Sequence, residues 1–158
     1  MWTKSNSATL SLACTRVLIF AVVAIAVSLP FLLTGGFYGS HADGGVLYEY
    51  MPAETVRAVF ICAYICFAPT MVALFSLDKL LTNIRKEIVF DRANVKGLRI
   101  ISWCCFIIAI VMLCGWPFIS FVLAFVAAAA AFFGILMRVV KNVIDAACEI
   151  KAENDFTV

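Results

Sequence analysis

The sequence holds one histidine, His41, with Asp43 and Glu49 as the carboxylates nearest to it in the same glycine- and aromatic-rich stretch. Imidazole nitrogen and carboxylate oxygen are common ligands for zinc and related metals, so these three residues could in principle share an ion. A lone histidine with scattered carboxylates lacks the paired spacing of a dedicated site, and no metal centre is expected. Cysteine offers a second chemistry, because the chain has seven. Cys62, Cys66, Cys104, Cys105 and Cys114 lie inside apolar runs, and Cys14 sits at the edge of another. Free cysteine behaves as a small hydrophobe, so these are read as reduced, packed thiols rather than bridges or ligands. No paired intramembrane aspartates, no His-Glu-x-x-His and no phosphate-cradling glycine loop occur. Neither an enzymatic activity nor a cofactor is therefore expected.

The remaining polar chemistry is that of recognition. A formal charge of +2 is too small to point to direct nucleic-acid binding, which asks for a strongly basic domain or stripe. The position of the charges matters more than their sum. Arg85, Lys86, Phe90, Arg92, Asn94 and Arg99 in a central polar segment, with Glu153 and Asp155 in the tail, are the candidate partner-binding residues.

The elements that must present these residues are set by the apolar runs between them. Hydrophobic residues make up 65% of the chain and charged ones 14%, and the mean hydropathy is +1.05, outside the range of soluble domains. Residues 17–40 and 58–77 carry no charge or histidine, and each is long enough for one crossing of a hydrocarbon layer about 30 Å thick. Pro69 lies in the second run and is expected to kink it. The stretch 100–137 is also free of charge. As one helix it would reach roughly 55 Å, so Gly115, Trp116 and Pro117 near its middle must turn it into a hairpin of two spans. Trp116 then sits at an interface, where indole rings anchor. Ala24, Ile25 and Ala26 resemble a signal-peptide cleavage site, but the apolar run continues through Leu29, Phe31, Leu32 and Leu33, longer than a signal core.

The fold expected is an all-α membrane protein, a single membrane domain over 1–158 that forms a bundle of four transmembrane helices. The spans fall at about 12–33, 57–77, 100–115 and 118–137, with an outer loop at 34–56, a cytoplasmic loop at 78–99 and a cytoplasmic tail at 138–158. Eleven of the twelve basic residues lie in 1–16, 78–99 and 138–158; Arg57 alone lies on the other side. Basic flanks are retained in the cytoplasm, so both termini are expected to face it. Tyr48 and Tyr50 read as interfacial anchors of the outer loop.

Two helices should continue past the lipid. Leu77, Leu80, Leu81, Ile84 and Ile88 recur at helical spacing beyond the second span, and Val140, Val143, Ile144, Ala147 and Ile150 do so beyond the fourth. These cytoplasmic extensions of the second and fourth helices could pack together, hold a soluble partner or lie on anionic headgroups. Within the fourth span, Ala127 with Ala131 and Ala130 with Gly134 form small-x-x-x-small pairs. Such a face permits close helix packing, within one chain or in a homo-oligomer through the fourth span. No Asp, Glu, Lys, Arg or His interrupts the apolar run of a span between the membrane boundaries, which argues against ion-coupled transport. Ser28, Thr70, Ser102 and Ser120 are expected to bond back to their own helices.

Val89-Phe90, Asn94-Val95-Lys96, Leu98-Arg99-Ile100 and the ending Glu153-Asn154-Asp155-Phe156-Thr157-Val158 resemble a family of small bacterial four-span membrane proteins of unknown function. Members are often encoded beside a short Xre-type helix-turn-helix regulator. Where that family has a Gly-x-Pro-Phe approach to the loop motif, this chain has Glu87-Ile88-Val89-Phe90 and keeps the Phe. The resemblance implies a membrane component paired with a cytoplasmic, transcriptional partner. The expected function is thus a non-enzymatic sensor or signalling partner of such a regulator, in contact otherwise with the lipid bilayer. A small oligomeric channel or transporter, whose pore several copies could line, is an alternative, as is a structural subunit of a membrane complex.

Overall fold

The computed structural model describes residues 4–33, 53–86, 91–117 and 119–156. Among these, four helices account for nearly every residue and no strand occurs: α1 (Lys4–Leu33), α2 (Ala53–Arg85), α3 (Arg92–Gly115) and α4 (Val122–Phe156). The residues of the outer loop over 34–52, with His41, Asp43, Glu49, Tyr48 and Tyr50, lie outside the described residues, as do 87–90 with Ile88 and Phe90.

The local chemistry explains where the helices begin and end. α2 opens at Ala53, taking in the last residues before the second apolar run, and Glu54 in its first turn complements the positive end of the helix dipole. Asp91 caps α3 from an extended backbone conformation, and its carboxylate accepts from the Ala93 amide at 3.2 Å. Gly115 closes α3, and the Ile119 amide donates to its carbonyl at 3.2 Å. Just past the turn the Ser120 hydroxyl accepts from the Val122 amide at 3.4 Å, at the start of α4. The hairpin at Trp116 and Pro117 is lined with aromatics: Trp116 meets Phe121 edge-on at 5.9 Å, and Phe121 meets Phe125 at 5.3 Å. Such pairs add modestly to the burial of the rings themselves.

At 1.5 Å per residue α2 and α4 are each about 50 Å long, so each outruns a ~30 Å apolar layer by several turns. Arg85 and the charged residues beyond Arg138 occupy those extensions.

The helices pack in chain order. α1 lies on α2, α2 on α3 and α3 on α4, and among the described residues no other pair approaches closely. Most of each helix surface is therefore left without a protein neighbour, and large apolar side chains stand on it, with Phe20 at 77% and Phe125 at 67% exposure. Water would not tolerate so continuous an apolar surface, whereas lipid tails do. All four helices are long and apolar enough to cross a membrane. The buried side chains concentrate on α3: Val95, Leu98, Ile101, Cys104 and Ala109.

Some hydroxyl groups inside the spans bond locally and others reach a neighbouring helix, as Tyr64 does by donating to the Ala26 carbonyl of α1 at 3.3 Å. Ser28 donates to the Ile25 carbonyl, and Thr70 donates to the Cys66 carbonyl at 2.7 Å, one turn from Pro69. Ser102 does not bond back to its own helix as its type suggested. Its hydroxyl donates across to the Gly134 carbonyl of α4 at 2.7 Å, because the small residue opposite lets the two backbones come within reach.

At the end of the molecule bearing the chain termini, α1 is joined to α2 by Arg16 Nε and Asp78 Oδ1 at 3.3 Å, with the arginine side chain 59% exposed. An ion pair this open to solvent contributes about 1 kcal/mol or less. Arg16→Ala is thus expected to shift the unfolding midpoint in detergent micelles by no more than ~3 °C, as read by circular dichroism. A larger drop would mean that α1 is held by charge rather than by apolar contact.

Candidate functional site at the basic end

The start of α1, the end of α2, the start of α3 and the extension of α4 meet at one end of the molecule, as the contacts Arg16 to Asp78, Asn83 to Asn94 and Arg138 to Trp103 require. Two crevices open there, one on each side of α3.

The first lies between α2 and α3 and has a volume of about 570 Å³. Ser76, Lys79 and Asn83 form one wall and Asn94, Lys96 and Gly97 the other. Asn83 and Asn94 close it with a side-chain hydrogen bond, Nδ2 donating to Oδ1 at 2.8 Å. Asn94 is 2% exposed, so this amide is taken up between the helices and offers no free surface to a partner. Arg85, Lys86, Arg92 and Arg99, by contrast, are exposed, although none of them lines this crevice. Phe90 lies outside the described residues. Glu153 is exposed on α4, and Asp155 lies in the last turn of α4, where the placement of the side chain is not described.

The second crevice lies between α3 and α4, with a volume of about 340 Å³, and is lined by Arg99, Ser102, Trp103, Arg138, Lys141 and Asn142. The Arg138 guanidinium sits over two rings of α3, with its carbon 5.3 Å from the Trp103 centroid and 5.6 Å from that of Phe106. Both are within the range in which a ring quadrupole attracts a cation. Lys141 donates to Asn142 Oδ1 at 3.1 Å and pairs with Asp145 at 3.2 Å. Among the described residues no carboxylate comes within 4.0 Å of Arg99 or Arg138.

Sequence reasoning singled out Arg99 but not Arg138, Lys141, Trp103 or Asn142. A signal was present, because Arg99 and Arg138 bracket the uncharged stretch 100–137 and a hairpin must return them to the same level.

Deeper in the pair, α3 and α4 touch along the small residues of α4. Ala127 and Gly134 are buried, and Ala130 and Ala131 are half-buried beside them. A Cβ on Gly134 would stand 3.3 Å from Cys105 Cβ and from the Phe106 ring. The contact of this face is thus with α3 of the same chain. At the opposite end a Cβ on Gly115 would meet Cys62 Sγ at 2.8 Å, so glycine there lets α3 approach α2. The seven cysteines are free thiols, with Cys66 and Cys104 buried.

Long apolar helices with lipid-exposed side chains, and polar surface gathered at one end, define an integral membrane protein embedded in a bilayer. The chain belongs to the DUF2975 family of proteins of unknown function, whose sequence pattern matches residues 37–158. It is similar to "Uncharacterized membrane protein YoaS" of Bacillus subtilis (strain 168), at 32% identity over 116 residues, which cover 63% of this chain and 70% of that protein. No solved structure matches the chain. The family match takes in α2, α3, α4 and both crevices and leaves out α1.

Proposed function

We propose that the protein is a non-enzymatic regulatory component of the bacterial inner membrane, with both termini in the cytoplasm. It responds to a condition of the membrane or envelope and engages a cytoplasmic transcriptional regulator through residues 78–99 and 138–158. The observation that carries this reading is the one-sided charge: eleven of the twelve basic residues gather at the end where α2 and α4 extend past the apolar layer. Retention of basic flanks supports the cytoplasmic orientation. Exposed Arg85 and Lys86 at the end of α2 and Arg92 at the start of α3, the two helices that wall the crevice, supply cationic charge that an acidic protein surface would complement. Resemblance of the loop and tail motifs to proteins encoded beside helix-turn-helix regulators supports a DNA-binding partner.

The test is affinity recovery from membranes carrying the tagged full-length chain, compared with Arg85→Glu, Lys86→Glu and Arg92→Glu combined. A DNA-binding protein is expected with the parent chain, and its recovery is expected to fall at least about tenfold on charge reversal, since like charges at an interface cost several kcal/mol. Equal recovery with both chains would overturn the reading.

A further inference from the structure

The α3–α4 crevice borders the segments invoked in that reading, but its composition points to a ligand of its own. Two walls bring three cations to one cavity, Arg99 from α3 and Arg138 with Lys141 from α4. One carboxylate, Asp145, is drawn to Lys141 at 3.2 Å, so positive charge remains in excess. Like charges gathered without counter-charge repel one another, and a bound anion relieves that repulsion. Arg138 is already held over the Trp103 and Phe106 rings, so little side-chain freedom is left for an anion to remove. Ser102 at the floor is committed to the Gly134 carbonyl, which leaves recognition to the cations and to the Asn142 amide.

The position selects the class of anion. Arg99 and Arg138 are the last charges before the uncharged stretch 100–137, so the crevice opens at the level where the apolar layer gives way to headgroups. Planar guanidinium forks match the oxygens of a phosphate, and basic pockets between transmembrane helices are suited to phosphorylated headgroups. We propose that Arg99, Arg138 and Lys141 form a binding site for a phosphate-bearing anion at the membrane surface. The phosphate is supplied by an anionic lipid headgroup or by a soluble phosphate, and both share the chemistry that the site recognises.

The experiment uses the full chain with Trp2 and Trp116 replaced by Phe, so that Trp103 under the Arg138 guanidinium is the fluorescent reporter. One arm raises the fraction of phosphatidylglycerol in phosphatidylcholine nanodiscs; the other adds inorganic phosphate to pure phosphatidylcholine nanodiscs at constant ionic strength. A saturable change in Trp103 emission is expected, from the lipid arm if the headgroup is the source and from the phosphate arm if a soluble ion is. Arg99→Gln, an exposed residue with no packing role, is expected to weaken the response about five- to tenfold, while the Arg85→Gln, Lys86→Gln pair moves it less than about twofold. No saturable response in either arm would overturn the proposal. So would an equal loss in the Arg85, Lys86 variant, because diffuse surface charge would then account for the binding.

Discussion

Gly134→Leu is expected to lower the stability of the protein in detergent micelles by about 2–3 kcal/mol, because the new side chain has no space to enter. Its Cβ alone would stand 3.3 Å from Cys105 Cβ and from the Phe106 ring, already tighter than ordinary contact. The remaining carbons must push α3 and α4 apart. Separation breaks a second interaction, since the Gly134 carbonyl accepts the Ser102 hydroxyl at 2.7 Å and Ser102 is 1% exposed. A hydrogen bond between membrane helices is worth about 0.6 kcal/mol on average, so most of the loss comes from overpacking. In thermal unfolding followed by circular dichroism this corresponds to a midpoint lower by ~5–10 °C. Ala128→Leu, one and a half turns away on an exposed face, supplies the control and is expected to change little. Gly134→Ala falls between: its methyl crowds Phe106, but alanine gains up to about 1 kcal/mol in helix propensity over glycine, and the two nearly cancel. Equal midpoints for the two leucine variants would mean that the α3–α4 contact does not depend on a small residue at this position.

Four helices apolar and long enough to cross were legible because lipid imposes them: an uncharged stretch is either long enough to cross once or long enough to fold back. The hairpin at Gly115, Trp116 and Pro117 followed from length plus turn chemistry. Which face of each helix meets a neighbour was less legible, because side chains exposed to lipid and side chains packed on protein are equally apolar. Small residues break that degeneracy, and so the Ala127 and Gly134 face could be named, although not its partner helix. Polar residues break it only where they are paired, and pairing depends on the axial register of two helices. That register is why Ser102 crosses to Gly134 and why Arg138 lands on Trp103 and Phe106. It also explains why Asn94, grouped by sequence with the exposed loop cations, is buried against Asn83.

That amide pair yields the second large effect. Asn94→Leu keeps the same branching and number of heavy atoms at a position 2% exposed, yet it removes the oxygen that accepts Asn83 Nδ2 at 2.8 Å. A donor or acceptor left without its partner in a closed interface costs about 1–3 kcal/mol, whereas replacing both partners by apolar groups of like shape can be close to neutral. Asn83→Leu, which takes the donor from an Asn94 oxygen that water does not reach, is therefore expected to lose most of that amount, and Asn94→Leu a smaller part, since the Asn83 amide left behind is only half-buried and water can replace its partner. The double variant, Asn83→Leu with Asn94→Leu, is expected to recover to within about 1 kcal/mol of the parent chain, so the two losses must fail to add. Strict additivity of the three unfolding free energies would show that the amides act separately and would remove the pair as the tie between α2 and α3. The pair closes the crevice walled by Lys79 and Lys96, so the double variant also separates two roles at the basic end. If stability returns while recovery of a cytoplasmic partner does not, polarity inside the crevice matters to recognition beyond holding the helices together.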